Sequence, residues 1–523
     1  VPNSPQKNSR LALLALAAGA ASGGCVPAPP LQERRALPLA QAPAQAQPPE
    51  DAEAPGAAAL KPPAPAIPSN LDDFIARPEP SFSWSEEAHS GNTTLLDVTS
   101  QQWQGSKWTH KVEVVRPARE AAPGAALIFI NFGSPTPQQT FVAQLASNAT
   151  GLTIVNAFNV PNQPLWGRYE DDLIAYTFSK YLESGDPKSD WPLLLPMTKS
   201  ATQIMRAVEE WSAQQARRDG ATASPAVTKW GVTGASKRGW TTWLVAASQA
   251  KAHPGRVIGI IPMVYDNLNL ARQMPHQKES WGAYSEMIAD YARRGLPDMV
   301  LAPHGQQLAA IVDPYTYRAR LSLPKLLVNA SNDPYWTLDS FNLYRDQLSG
   351  PTNVFYAPNS GHMLNGNEAR VAGISAAWFK MIAQGNASPQ VLARVLDASN
   401  KPLEAPGEVL QSRSGLKWRL QVLNAQGAPL APRSAKLWAA GSATRDFRHA
   451  RWQAVELQPS AGAANVFEIA LDDPRLKGED GAPLHALFGE VALPGGVGDD
   501  AAQGNPLAVK VPFALSSPVT IWK

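Results

Sequence analysis

The chain has 523 residues, 44% hydrophobic and 17% charged, with 46 basic against 44 acidic side chains and a formal net charge of +2. That near balance leaves no electrostatic footprint for nucleic acid or a strongly acidic partner, and the length exceeds one ordinary domain. The single cysteine, Cys25, excludes an internal disulfide, a cysteine-rich zinc site and a cysteine nucleophile in the folded part.

In chain order, Lys7 and Arg10 precede the apolar run Leu11 to Ala21, and Ser22-Gly-Gly-Cys25 follows. Residues 1–25 therefore read as a secretory signal peptide. Two processing routes stay open: lipidation of Cys25, although Ser22 stands where lipoprotein signals carry an aliphatic residue, or cleavage after a small-residue site such as Ala18-Gly19-Ala20. Either implies export, to the periplasm, to an outer-membrane tether or to the medium. The apolar run is far short of the ~20 residues that span a bilayer. Residues 26–70, rich in Pro and Ala, read as an extended, disordered tether.

From Leu71 to Ser388, short aliphatic runs alternate with helical patterns. Val112 to Val115, Ala126 to Ile130, Leu152 to Val155, Val227 to Val232, Val257 to Ile261, Leu326 to Val328 and Val354 to Tyr356 read as strands. Several are apolar on both faces, which predicts a mostly parallel sheet covered by helices on each side. Ser200 to Gln215, Lys237 to Ala250 and Glu368 to Gln384 supply such helices. A longer insertion, residues 266–323, has helical character around Trp281 to Arg294 and reads either as a cap over the site or as a surface excursion. Residues 389–523 alternate apolar and polar positions, as in Lys417 to Val422 and Val466 to Ile469, and predict a small all-β, sandwich-like domain.

Val227 to Trp243 reads as strand, tight turn, helix, with Ser236 at the turn in Gly234-Ala-Ser236-Lys-Arg-Gly239. Such a turn lifts a serine Oγ above the sheet and puts a helix N-terminus beneath it, which suits a nucleophile and its developing oxyanion. The second glycine of this turn type comes one residue late, because Arg238 occupies its usual place. Serine needs a neutral imidazole to take its proton, and the imidazole needs a carboxylate to fix its tautomer. Asp333 and His362 follow later strands in the matching chain order, and Asp313 is the rival acid. The expected oxyanion donors are the amides of Lys237 and of Phe132 or Gly133. Arg238, Trp240 and Trp336 are candidate substrate contacts, with Trp243 and Trp281 as further aromatic candidates. No spacing suggests a metal site, and no glycine-rich loop suggests a nucleotide cofactor.

Asn162 to Leu165, Arg168-Tyr-Glu-Asp171, Leu173 to Tyr176, Trp191 to Met197, Gly234 to Trp243 and Asn329 to Trp336 together resemble the PhoPQ-activated pathogenicity-related protein family. The resemblance runs from about Leu71 to the C-terminus. It implies an α/β-hydrolase fold, export in many members and a link to virulence and antimicrobial-peptide resistance, without a known substrate. A looser similarity to glucuronoyl esterases rests on the Gly-x-Ser-x-x-Gly spacing. The leading expectation is a serine hydrolase of esters or peptides with a small-molecule or peptide substrate. The alternative is a non-catalytic binding or signalling protein on the same scaffold. Oligomeric state stays open.

Overall fold

The computed structural model describes residues 67–220, 224–403, 409–411, 415–476, 482–497 and 511–523. The expected signal peptide, Cys25 and nearly all of the tether lie outside the described residues.

A short helix α1 (Asn70–Ala76) precedes strands β1 (Ser83–Ser90), β2 (Thr93–Trp103), β3 (Ser106–Val115) and β4 (Ala125–Ile130). Then come α2 (Pro137–Thr150), β5 (Thr153–Ala157), α3 (Glu170–Ser184), α4 (Leu194–Asp219), β6 (Lys229–Ala235), α5 (Lys237–Ala252) and β7 (Val257–Met263). The insertion holds α6 (Leu270–Trp281), α7 (Ala289–Ala292), α8 (Leu296–Met299) and α9 (Pro303–Val312). It is followed by β8 (Lys325–Ala330), β9 (Thr352–Ala357) and α10 (Glu368–Ala383).

Strands β5, β4, β6, β7, β8 and β9 lie side by side in that order and pair parallel throughout. Every residue of β4, β5 and β8 is buried, as aliphatic runs covered on both faces require. Alternate side chains feed two cores. Ile128, Val155, Trp230 and Val232 meet α4 and α5 on one face, while Phe129, Ile154, Ile261 and Val328 meet α2 and α10 on the other. This parallel strand order, with helices on both faces, makes an α/β-hydrolase fold, extended on one side by the antiparallel β1 to β3.

The C-terminal part contributes β10 (Gln390–Leu396), β11 (Lys417–Leu423), β12 (Ser434–Ser442), β13 (Gln453–Leu457), β14 (Pro459–Ser460), β15 (Ala463–Ala470), β16 (Leu484–Val497), β17 (Val511–Ser516) and β18 (Thr520–Trp522). It is all-β and two-layered: β10, β11, β15 and β14 form one sheet, facing β16 where Gly489 abuts Trp418 and Leu420. The other layer does not stand apart. Strand β17 bridges to β9 at Ser516 and Val354, so β17, β16, β12 and β13 prolong the central sheet.

The register fixes the site. Ala235 pairs with Met263, Met263 with Val328, and Ala330 with Ala357, so β6, β7, β8 and β9 all end at one rim. In such sheets the crevice beyond the carboxyl ends of the strands is where ligands bind.

Candidate active site

Ser236 is the residue immediately after β6 and the N-cap of α5, with φ 58° and ψ −125°. That left-handed backbone is one few side chains adopt and costs strain, which the surroundings must hold. Its amide donates to the Met263 carbonyl at 2.9 Å, and its carbonyl accepts from the Trp240 amide at 3.0 Å. The shifted glycine now has a physical reason. A Cβ on Gly239 would lie 2.8 Å from the Met263 carbonyl oxygen and 3.1 Å from that of Gly234, so α5 lies against the sheet here with no room for a side chain. A Cβ on Gly234 would sit 2.7 Å from the Arg238 carbonyl oxygen. Residue 238 is thereby freed to carry a long side chain.

That side chain is committed within the fold. Arg238, a candidate substrate contact, has its guanidinium buried, donating to Glu170 at 2.5 and 2.7 Å and to the Val160 carbonyl at 2.8 Å, and it does not line the cavity at Ser236. Three of its five N–H donors are thus used within the fold. Lys237 Nζ lies 2.8 Å from Glu170 and 3.3 Å from Asp171. Burial pushes the Glu170 carboxyl up, but Arg238 and then Lys237 outweigh it and hold the group well below the usual carboxylate range. For Lys237, burial pushes down and Asp171 and Glu170 push further up, so the ammonium keeps its charge. Two cations and two anions thus cancel beside the serine turn. The acidic pair of Arg168-Tyr-Glu-Asp171 had no assigned role in the sequence. Its signal was there, as a second paired motif of opposite charge.

His362 follows β9 and Asp333 follows β8. The imidazole Nδ1 is 2.9 and 3.0 Å from the two carboxylate oxygens of Asp333, and Tyr335 packs against the ring at 4.0 Å between centroids. Asp333 also accepts from the Tyr335 amide at 2.8 Å, so the turn role and the pairing role coexist. The rival Asp313 is excluded by position: it accepts the amides of Asn269, Leu270 and Tyr315, anchoring the insertion, and burial pushes its carboxyl up to about 6. With Nδ1 committed, Nε2 of His362 is the remaining nitrogen. It is buried and has no hydrogen-bond partner among the described residues. Ser236 lines the same cavity as Tyr335, and no Ser236–His362 hydrogen bond is formed among the described residues.

Beneath the pair, Asp266 accepts from the Tyr344 hydroxyl at 2.5 Å and from the Asn329 amide at 2.8 Å. Burial, aided by the neighbouring charge of Asp333, pushes its carboxyl up to about 8.

The loops carrying Asp333 and His362 are tied to each other and to the C-terminal part. The Asn332 amide N–H donates to the Ser360 carbonyl at 3.0 Å, and its side chain donates to the Ala450 carbonyl at 2.7 Å. Asn359 exchanges two bonds with the Trp452 backbone, at 2.8 and 2.9 Å. Such contacts between distant segments carry no sequence signature.

Phe132 and Gly133 sit on the loop after β4, and neither amide donates a backbone hydrogen bond among the described residues. Phe132 lies under the Arg238 guanidinium at 5.1 Å, and Gly133 is exposed. Trp240 and Trp336 both line the cavity, their indole N–H groups donating to the carbonyls of Val312 and Val264. Trp243 is fully buried in the core, and Trp281 is covered by the Arg448 guanidinium. No cluster of three metal-ligating side chains occurs among the described residues, and no helix there is long and apolar enough to cross a membrane.

A parallel sheet with a strained serine turn, and an acid and a histidine after successive later strands, defines the α/β-hydrolase class. Within it, the chain belongs to the PhoPQ-activated pathogenicity-related protein family, whose profile matches residues 71–448. Autocrine proliferation repressor protein A of Dictyostelium discoideum is 30% identical over 323 residues, covering 57% of this chain and 62% of that protein. The chain thus spans less than two thirds of that relative's length. Among solved structures, acetyl xylan esterase 1 from Thermoanaerobacterium has 15% identity and a TM-score of 0.39, covering 57% of this chain and 89% of its own. The esterase of Pyrobaculum calidifontis has 13% identity and a TM-score of 0.33, covering 60% and 87%.

Proposed function

We propose that the chain is a serine hydrolase that cleaves an ester through an acyl-serine intermediate, with Ser236 as nucleophile, His362 as base and Asp333 as its orienting acid. The observation that carries the reading is the buried, unpartnered Nε2 of His362. A buried polar atom without a partner calls for a reason, and a nitrogen kept for a proton in transit supplies one. Ser236 Oγ attacks the ester carbonyl as its proton passes to Nε2, the C–O bond breaks, and Nε2 returns the proton to the leaving alcohol. Water then repeats the sequence in reverse role and releases the acid. The amides of Lys237 and of Phe132 or Gly133 are the proposed oxyanion donors.

The basic residues and apolar run before Cys25 support export, either lipid-tethered at Cys25 or released.

The test is labelling with a small fluorophosphonate, alongside turnover of p-nitrophenyl esters. The expected result is one labelled site, lost in Ser236→Ala, with Asp333→Asn slowing turnover by about ten-thousand-fold, as a misheld tautomer does. Folded protein that neither labels nor turns over any ester, amide or aminoacyl substrate would instead establish a binding protein on this scaffold.

A further inference from the structure

Beside Ser236 lies a cavity of about 80 Å³, enclosed mainly by the insertion. Leu270, Met274, Leu296, Val300, Leu308 and Val312 supply its hydrocarbon wall, and Trp240 stacks on Tyr265 at 5.0 Å on the opposite side. Its charged lining is self-contained. Lys237 and Asp171 face each other at 3.3 Å, and Asp171 also accepts from the Tyr291 hydroxyl at 3.1 Å. Asn267 adds one amide. A charged ligand would have to compete with these pairs or be desolvated without a partner, whereas an apolar one loses nothing by entering.

We infer that this cavity is an acyl pocket, and that the substrate of the proposed serine hydrolase presents to it an uncharged apolar group of roughly five to eight non-hydrogen atoms. The size follows from the volume, at about 10–15 Å³ for each water-sized sphere. This inference rests on the serine reading for its chemistry and on the cavity for its specificity. The six-carbon acyl chain and the aryl acid fall within the range. An acetyl group leaves most of the pocket empty, and a decanoyl group exceeds it.

The experiment compares p-nitrophenyl acetate, butyrate, hexanoate, decanoate and hemisuccinate on the full chain. kcat/KM should rise about fourfold for each methylene buried from acetate to hexanoate, fall at decanoate, and be at least tenfold lower for hemisuccinate than for butyrate. Val312→Phe, and the milder Ala309→Leu, should lower the hexanoate-to-acetate ratio tenfold or more, because both fill the cavity. A flat or acetate-favouring profile in protein whose Ser236 still labels would overturn the pocket and leave the serine reading standing. Calorimetric titration of Ser236→Ala protein provides a readout free of turnover: hexanoate should bind at least tenfold more tightly than acetate, and equal affinities would overturn the pocket even where the native chain proves inactive.

Discussion

Substituting Glu170→Gln removes one negative charge from a cluster in which Lys237 and Arg238 are 9% and 6% exposed and Glu170 is 24% exposed. Glutamine keeps the shape and one acceptor oxygen, but it takes from Arg238 the carboxylate it pairs with and leaves Lys237 paired with Asp171. Removing one partner of a buried ion pair costs about 3–5 kcal/mol, and the retained acceptor sets the expectation at the lower end, about 3 kcal/mol. The nucleophile adjoins both cations, so the turn should shift as well, and a displacement of about 1 Å at a reacting atom costs on the order of a hundredfold in rate. Urea unfolding followed by tryptophan fluorescence at pH 7 measures the first quantity, and kcat on a good ester measures the second. The pH dependence has a definite sign. Because the folded-state carboxyl of Glu170 lies below its unfolded value, its contribution is complete above the unfolded value, about pH 4.5, and is lost as pH falls toward the folded one. The native chain should therefore lose stability more steeply below about pH 5 than Glu170→Gln. A loss under about 0.5 kcal/mol, with parallel acid slopes and unchanged kcat, would refute the claim that this cluster holds the serine turn.

Asp266→Asn should act in the opposite sense. The native carboxyl, raised to about 8, stays protonated where the unfolded chain ionises, so native stability falls as pH rises from about 4 to 8, by at most about 1.4 kcal/mol per pH unit. The amide variant should lack that slope and be the more stable protein at pH 8, as urea midpoints across this range will show. Gly239→Ala should destabilise by about 1–3 kcal/mol, although the same change in an open helix stabilises, because the added methyl meets the Met263 carbonyl at 2.8 Å. A raised melting temperature would contradict the close approach. Asn332→Ala should lower kcat more than it raises KM, since the side chain holds the acid loop to the Ala450 carbonyl without touching the cavity. A pure KM effect would assign it to substrate binding instead.

The parallel strands were legible because burial on both faces leaves a recognisable composition: β4, Ala-Ala-Leu-Ile-Phe-Ile, is apolar throughout, and β8 is buried along its whole length with Leu326, Leu327 and Val328 at its centre. Chain order then placed Ser236, Asp333 and His362 at one rim, since parallel strands must all end on the same side. Strand β1 was not legible. It is an edge strand, Ser-Trp-Ser-Glu-Glu-Ala-His-Ser, exposed along nearly its whole length, so it carries no apolar alternation to read. The insertion's helices are short, two of them four residues long, and α6 holds Pro275 inside it, which blurs any helical period. The partner of Arg238 was hidden for a related reason: Glu170 is 68 positions away in the chain, and only the fold brings it to the guanidinium. The joining of β17 to β9 was equally hidden, because a single bridge between distant segments changes neither period nor composition.

The three proposed catalytic side chains are fastened by three different parts of the chain. The start of α3 holds the serine turn through Glu170, the 447–452 segment holds the acid and base loops through Asn332 and Asn359, and the insertion walls the cavity that Ser236 lines. These fastenings add to the parallel sheet, which supplies the common rim and holds the Ser236 amide at the Met263 carbonyl. The placing of the serine turn and of the histidine loop thus depends on α3 and on the 447–452 segment as well as on the sheet. It follows that removing the segment after Ser388 would do more than shed a neighbouring β region. It would free the Asn332 and Asn359 side chains of their partners and expose β9, so the imidazole would lose its fixed place even if the parallel sheet stayed folded.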